Sequence, residues 1–195
     1  MLNQGKKQKL MDAAIALVAE AGLENFSMAK AAAKAGTSER LVYSHFHTKE
    51  AYLSACFAEV NREIAALFTS KRMPDWEKAD STMAYLHALW DLYFGFLVSG
   101  GERTLFYFEY RNSDHIRPEQ KEDYACFDKA IQGVLNVDSL YRLDKKVDMR
   151  CLWTYLLDAA GLFARRIIKG EWKDTEALRR SIWTLFSGGL RELLS

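Results

Sequence analysis

The chain has 195 residues, with 27 Lys and Arg against 26 Asp and Glu, so its formal charge is +1. That balance excludes a broadly basic nucleic-acid coat and an acidic disordered chain, while 49% hydrophobic residues suffice for a sizeable core. Leu and Ala occur 24 times each against 14 for Val plus Ile, with only two prolines, which predicts an all-α fold.

A first helix is expected from about Lys6 to Ala21, where Leu10, Ala14, Leu17, Val18 and Ala21 recur at helical spacing before Gly22 closes it. Ser27 is placed to cap a second helix that reaches Ala35 and stops at Gly36. Thr37 and Ser38 offer a fresh cap for a short third helix ending near Ser44. Thr48 caps a fourth, from Lys49 to about Lys71. Beyond a break at Arg72–Asp75, longer helices are expected at about Trp76–Ser99, Glu102–Asn112, Pro118–Asn136, Lys145–Lys169 and Thr175–Leu194. The reading is a helix-turn-helix domain at residues 1–50, followed by a larger helical bundle at 51–195, with about nine helices altogether.

Cys56, Cys126 and Cys151 are far apart and form no CxxC pair, so neither a disulfide framework nor a zinc site is expected. His45 and His47 stand at i, i+2 without a third ligand nearby, which favours no metal, and no cofactor is expected. Lys6, Lys7, Lys9 and Asp12 interrupt any signal-peptide core. Apolar runs such as Ala65–Phe68 and Phe94–Val98 fall far short of the roughly 20 residues of a membrane span, so a cytoplasmic protein without membrane contact is expected.

The informative stretch is Ser27–Ser44. A tight bihelical corner needs a residue without Cβ, and Gly36 supplies it. In the short helix that follows, Val42 shares an inward face with Phe46, which Arg40, Tyr43 and Ser44 cannot join. A short helix pinned on one side presents its other side outward, as a helix entering a DNA major groove must. A helical hairpin within a bundle satisfies the same pattern.

Further residues bear on the choice: Ala13-Ala14, Leu17 and Glu20-Ala21-Gly22 in the first helix, then Ser27, Ala35-Gly36-Thr37-Ser38, and Tyr43-Ser44-His45-Phe46-His47-Thr48-Lys49-Glu50. In this order and spacing, Leu10–Leu53 resembles the N-terminal DNA-binding region of the TetR family of transcriptional regulators. Two positions depart from the pattern: Arg40 stands where Gly is usual, and Ala31 where Ile is common. The resemblance implies a regulator rather than an enzyme. It implies a ligand-released repressor that binds a near-palindromic double-stranded operator as a homodimer. By the same resemblance Ser27, Ser38, Tyr43, His45 and Lys49 would touch phosphates, and Arg40 would read guanine. Glu39, Leu41 and Ser44 would lie beside bases, Thr37 would also belong to the DNA-binding set, and Lys6 would belong to a basic arm with Lys7 and Lys9.

Twelve of the 25 aromatics lie between Met73 and Phe127. The helix carrying Phe106-Tyr-Phe-Glu-Tyr-Arg111 is aromatic around most of its circumference and should be enclosed by neighbours. Two accounts stand side by side, a core of large rings and an apolar cavity for a small-molecule effector. For the second, Tyr85, Trp90, Phe94, Phe106, Tyr107, Glu109, Tyr110 and Phe127 are the candidate ligand contacts, with Glu109 either turned to the ligand or paired with Arg103 or Arg111. On the last two helices, Leu152, Leu156, Ala159, Ala160, Phe163 and Ile167 form one stripe, and Leu178, Ile182, Leu185, Phe186, Gly189, Leu190 and Leu193 another. These read as an intramolecular hairpin or, as the resemblance implies, as a homodimer seam. The competing classes are a helical protein-binding adaptor without DNA activity and a small-molecule enzyme. For the enzyme, no Gly-rich phosphate loop or GxSxG motif is present.

Overall fold

A computed structural model describes residues 2–121 and 148–194 of the chain. Among these residues all regular structure is helical, with no strand. In chain order they form α1 (Leu2–Ala21), a 3-10 turn (Leu23–Asn25), α2 (Met28–Lys34), α3 (Glu39–Phe46) and α4 (Lys49–Phe68). A second 3-10 turn (Trp76–Lys78) precedes α5 (Thr82–Gly100), α6 (Glu102–Arg111), α7 (Pro118–Lys121), α8 (Met149–Ile168) and α9 (Glu176–Leu194). The helix expected from Pro118 to Asn136 is described only as far as Lys121; its remainder lies outside the described residues.

Two expected boundaries move, each for a local reason. The helix expected to start at Trp76 starts instead at Thr82, with Ser81 Oγ accepting from the Ala84 N–H at 3.1 Å as its cap. Upstream, Asp75 closes the chain on itself, accepting from the Glu77 N–H at 3.1 Å and pairing with Lys78 at 2.7 Å. At the other end of that loop α4 stops at Phe68 rather than Lys71. There Ser70 Oγ donates to the Leu67 carbonyl and accepts from the Arg72 N–H, so the side chain takes over the backbone's partners.

The chain forms two compact units, Met1–Ile64 with Gly101–Lys121, and Ala65–Gly100 with Glu122–Ser195. Among the described residues the chain passes between them inside α4 and at Gly100–Gly101. In the first unit α1 packs against both α2 and α6, so it buries more than the one stripe its periodicity suggested. Met11, Ala13, Ile15 and Ala16 are buried beside Leu10, Ala14 and Val18, whereas Ala21 is exposed. As expected, α6 is enclosed: Phe106, Tyr107, Phe108 and Tyr110 are all buried. Phe57 of α4 stacks on Tyr107 with centroids 5.0 Å apart and lies 5.1 Å from Tyr110. Burial of each such ring removes enough apolar surface to contribute about 2 kcal/mol.

In the second unit α5, α8 and α9 share a core in which Trp90 meets Phe186 at 3.9 Å and Phe94 at 5.5 Å. The stripe read on α9 divides. Ile182, Trp183, Phe186 and Leu190 are buried, whereas Leu185 is 71% exposed and Gly188 and Gly189 are open to solvent. On α8, Leu157, Ala160 and Ala164 are buried, with Tyr155 and Leu162 exposed. The side chains of Leu152 and Leu193 lie outside the described residues.

Candidate nucleic-acid interface

Three short polar side chains start α2, α3 and α4 in turn, and each uses its oxygen on an unpaired N–H of the first turn. Ser27 Oγ accepts from Lys30 N at 3.2 Å, Ser38 Oγ from Leu41 N at 3.4 Å, and Thr48 Oγ1 from Ala51 N at 3.1 Å. Between the first two, Gly36 adopts φ +64°. Its N–H bonds Ala33 O at 3.0 Å while Thr37 N bonds Ala32 O at 2.9 Å, the paired closure that ends a helix through a left-handed residue.

The faces of α3 separate as the sequence pattern implied. Val42 and Phe46 are buried, whereas Arg40, Tyr43 and Ser44 are exposed, Tyr43 to 47%. Glu39 and Ser38 are also exposed, and Thr37, His45, Lys49 and Ser27 are half-buried around them. Ser44 Oγ donates to Leu41 O at 2.7 Å, leaving its oxygen lone pairs to solvent. Beneath α3, Tyr52 stacks on Phe46 at 4.0 Å, meets Phe26 edge-on at 5.6 Å, and donates its hydroxyl to Leu10 O at 2.5 Å. Burial pushes the Tyr52 hydroxyl pKa up, so it stays a donor.

Basic side chains flank this corner. Lys6 is exposed on the first turns of α1, while its neighbour Lys7 places Nζ 5.8 Å from the centre of the Phe46 ring. Lys49 Nζ lies 6.0 Å from the Phe26 ring centre. His47 joins α3 to α4 at φ 56° and ψ −45°, and Thr48 N bonds back to Phe46 O at 2.5 Å. That is a γ-turn on a residue with a Cβ, a strained joint.

The support for α1 comes from α6, and local sequence pattern gave no sign of it. Arg103 Nη2 lies 2.6 Å from Asp12 Oδ1 of α1, and its Nη1 lies 2.9 Å from Glu63 Oε1 of α4. Glu109 Oε1 accepts from the backbone N–H of Leu23 at 2.6 Å. The Glu109 carboxylate is thus engaged by the turn after α1. Partners 91 and 86 residues apart leave no periodicity to read.

Residues 10–56 match the profile of the bacterial regulatory proteins of the tetR family. Along the whole chain the fold is similar to that of a TetR family transcription regulator from Marinobacter aquaeolei VT8, at 19% identity, 94% coverage of both chains and a TM-score of 0.71. A putative tetR family transcription regulator from Shewanella sp. PV-4 aligns at 18% identity, 93% of this chain and 95% of that one, with a TM-score of 0.68. The transcriptional regulator FadR from Bacillus subtilis, in complex with stearoyl-CoA, aligns at 17% identity, 93% and 98% coverage, and a TM-score of 0.62. No curated protein sequence matches the chain. The TetR-like fold therefore extends well past the matched segment.

The candidate ligand contacts of this TetR-like chain fall in both units. Phe106, Tyr107, Glu109 and Tyr110 belong to the first, where Tyr107 donates to Asn61 Oδ1 at 3.4 Å and Tyr110 to His115 O at 3.1 Å. Tyr85, Trp90 and Phe94 are buried in the second. Phe127 lies outside the described residues. Trp90 stacks on Phe94, and Phe106, Tyr107 and Tyr110 pack on rings of their own unit. Among the described residues no group of three or more His, Cys, Asp or Glu could hold a metal, and no helix is long and apolar enough to cross a membrane.

Proposed function

We propose that the protein is a sequence-specific DNA-binding transcriptional regulator, a repressor that acts as a homodimer and releases a near-palindromic operator when a small apolar molecule binds. Residues 1–50 serve as the DNA-binding domain and 51–195 as the effector and dimerisation domain. The observation that carries the reading is α3 itself, anchored through buried Val42 and Phe46 while Arg40, Tyr43 and Ser44 face outward, exposed. A helix of this length, fixed on one side and polar on the other, fits a major groove.

On this reading Arg40 reads a guanine edge, with Thr37, Glu39 and Ser44 beside it, while Ser27, Ser38, Tyr43, His45, Lys49 and Lys6 hold phosphates. The exposed Leu185 face of α9 with exposed Tyr155 and Leu162 of α8 supports pairing of two copies through these helices. FadR of Bacillus subtilis holds stearoyl-CoA on a similar fold. That supports an effector of mainly apolar character, with Tyr85, Trp90 and Phe94 of the second unit as its candidate contacts. The effector needs only to prefer the dimer whose two heads are wrongly spaced, and a difference of about 1–3 kcal/mol between states suffices. Residues crossing between the units in α4 and at Gly100–Gly101 would carry that preference. The chain carries no reaction of its own and works in the cytoplasm.

The test is selection of duplex DNA from a random-sequence library by the full-length protein. A recovered near-palindrome whose binding weakens steeply with salt is the expected result. Recovery of no sequence at moderate salt overturns the reading and favours a protein-binding adaptor.

A further inference from the structure

Gly22 ends α1 at φ +86° and, having no side chain, cannot cap the 3-10 turn at Leu23–Asn25 that follows. The missing acceptor comes from α6, as Glu109 Oε1 takes the Leu23 N–H at 2.6 Å. A Cβ on residue 22 would stand 3.3 Å from that oxygen, so the bare glycine also admits the carboxylate. A carboxylate on the first free N–H of a turn makes a short, charge-assisted bond.

This turn decides where α2 begins. Asn25 N bonds Gly22 O at 3.2 Å and Phe26 N bonds Leu23 O at 3.1 Å. The Phe26 ring is then buried against Tyr52, and Ser27 starts α2. The same α6 holds α1 at a second point. Arg103 bonds Asp12 at 2.6 Å, and its Nη1 forms an ion pair with Glu63 that lacks hydrogen-bond alignment. Thus α6 grips α1 in its middle and just past its end.

We infer that Glu109 is a positioning residue of the DNA-reading head, capping the Leu23 turn so that α2, and α3 after it, leave α1 at one fixed angle. The inference rests on the DNA-binding reading above. Arg103 sets the register of α6 along α1, which brings the Glu109 carboxylate to the turn. A purely structural role would lower stability and leave DNA recognition by the folded protein untouched. A positioning role changes how the folded head fits DNA.

The experiment uses full-length E109M, close in length but without an acceptor, and E109Q, which keeps an acceptor oxygen. Both are compared with wild type at a temperature where circular dichroism shows them folded. The probes are the duplex that wild type recovers by selection, and versions of it with half-sites moved apart by one or two base pairs. E109M is expected to exchange the Leu23 amide at least about tenfold faster and to bind the duplex about five- to tenfold more weakly, with less preference among spacings. E109Q restores most of both. A folded E109M with wild-type affinity and spacing preference overturns the inference, whatever its stability. Should E109M fail to fold, R103M releases the other grip and is read by the same two DNA measurements. A wild type that selects no duplex removes the DNA-binding reading and this inference with it, whereas an unaffected E109M removes this inference alone.

Discussion

The rings of Phe46 and Tyr52 lie parallel, with centroids 4.0 Å apart and planes 8° from one another. Phe46 is the last residue of α3, and the Tyr52 hydroxyl reaches on to Leu10 O of α1. One side chain of α4 therefore ties the end of the outward-facing helix to the backbone of the first. Tyr52→Phe keeps the stack and removes the hydroxyl, and should lower unfolding free energy by about 1 kcal/mol. Tyr52→Ala removes the stack as well and should cost about 3–5 kcal/mol. Urea denaturation of both variants checks this. A Tyr52→Phe protein as stable as wild type would mean the Leu10 bond contributes nothing.

The two faces of α3 should separate stability from binding. Val42 is fully buried, so Val42→Ala should cost about 2 kcal/mol of stability through lost packing. Tyr43 is largely exposed, and Tyr43→Ala should change stability by less than about 0.5 kcal/mol. In binding the order reverses. Tyr43→Ala should weaken all duplexes alike, whereas Arg40→Ala should relax preference at one base pair per half-site, a loss of about 1–3 kcal/mol there. Paired denaturation and binding titrations decide the matter, and equal loss of stability from both α3 faces would refute the assignment.

These faces were legible in the sequence because each of their signals is local. Ser27, Gly36, Ser38 and Thr48 act on backbone groups within five residues, and Val42 and Phe46 sit one helical turn apart. The α6 brace was not legible. Arg103 and Glu109 meet Asp12 and Leu23 only after the chain returns, and Glu109 read equally well as a ligand contact. The stripe on α9 was visible as apolar, but periodicity cannot say which of Leu185 and Phe186 faces the core, since both border the same arc. The early end of α4 also turned on side chains, Ser70 among them, whose bonds propensity does not weigh.

His47 is strained in place. At φ 56° its Cβ crowds the chain, a conformation that costs about 1–3 kcal/mol for a residue other than glycine. Glycine removes that cost but gains freedom in the unfolded chain worth roughly 0.5–1 kcal/mol. His47→Gly should therefore stabilise the protein, by up to about 2.5 kcal/mol, and His47→Val should destabilise it. Thermal unfolding of the two variants supplies the check, and a destabilised His47→Gly would show that the turn is unstrained.

Asp174 and Arg179 give the second unit a pH dependence. Asp174 Oδ1 and Oδ2 each accept from the Arg179 guanidinium at 2.7 Å, and that bond holds the Asp174 carboxyl below the usual carboxylate range. Because the folded pKa is depressed, the stabilisation is present above the ordinary aspartate value and is lost as pH falls through the folded one. Both side chains are one-third exposed, which limits the contribution to roughly 0.5–1 kcal/mol. Asp174→Asn should lose that much at pH 7, hold the same deficit at pH 6 and 8, and match wild type in strong acid. A deficit that persists unchanged in strong acid would assign it to packing instead, for instance to the Arg179 guanidinium 5.4 Å from the Phe94 ring.

Gly188 and Gly189 test where two copies would meet. Both lie inside α9, where glycine costs about 1 kcal/mol relative to alanine, and a Cβ at either would meet nothing within 4 Å in the single chain. Leu185 stands one turn earlier on the same side, 71% exposed. Within one chain, therefore, Gly188→Ala and Gly189→Ala should each raise stability by about 1 kcal/mol. At a homodimer seam the added methyl groups instead hold the backbones apart, so association should weaken while the isolated chain gains. Sedimentation over a range of concentrations, run beside denaturation below the dissociation constant, separates the two effects. Variants that are more stable and dimerise as wild type does would move the seam away from this face of α9.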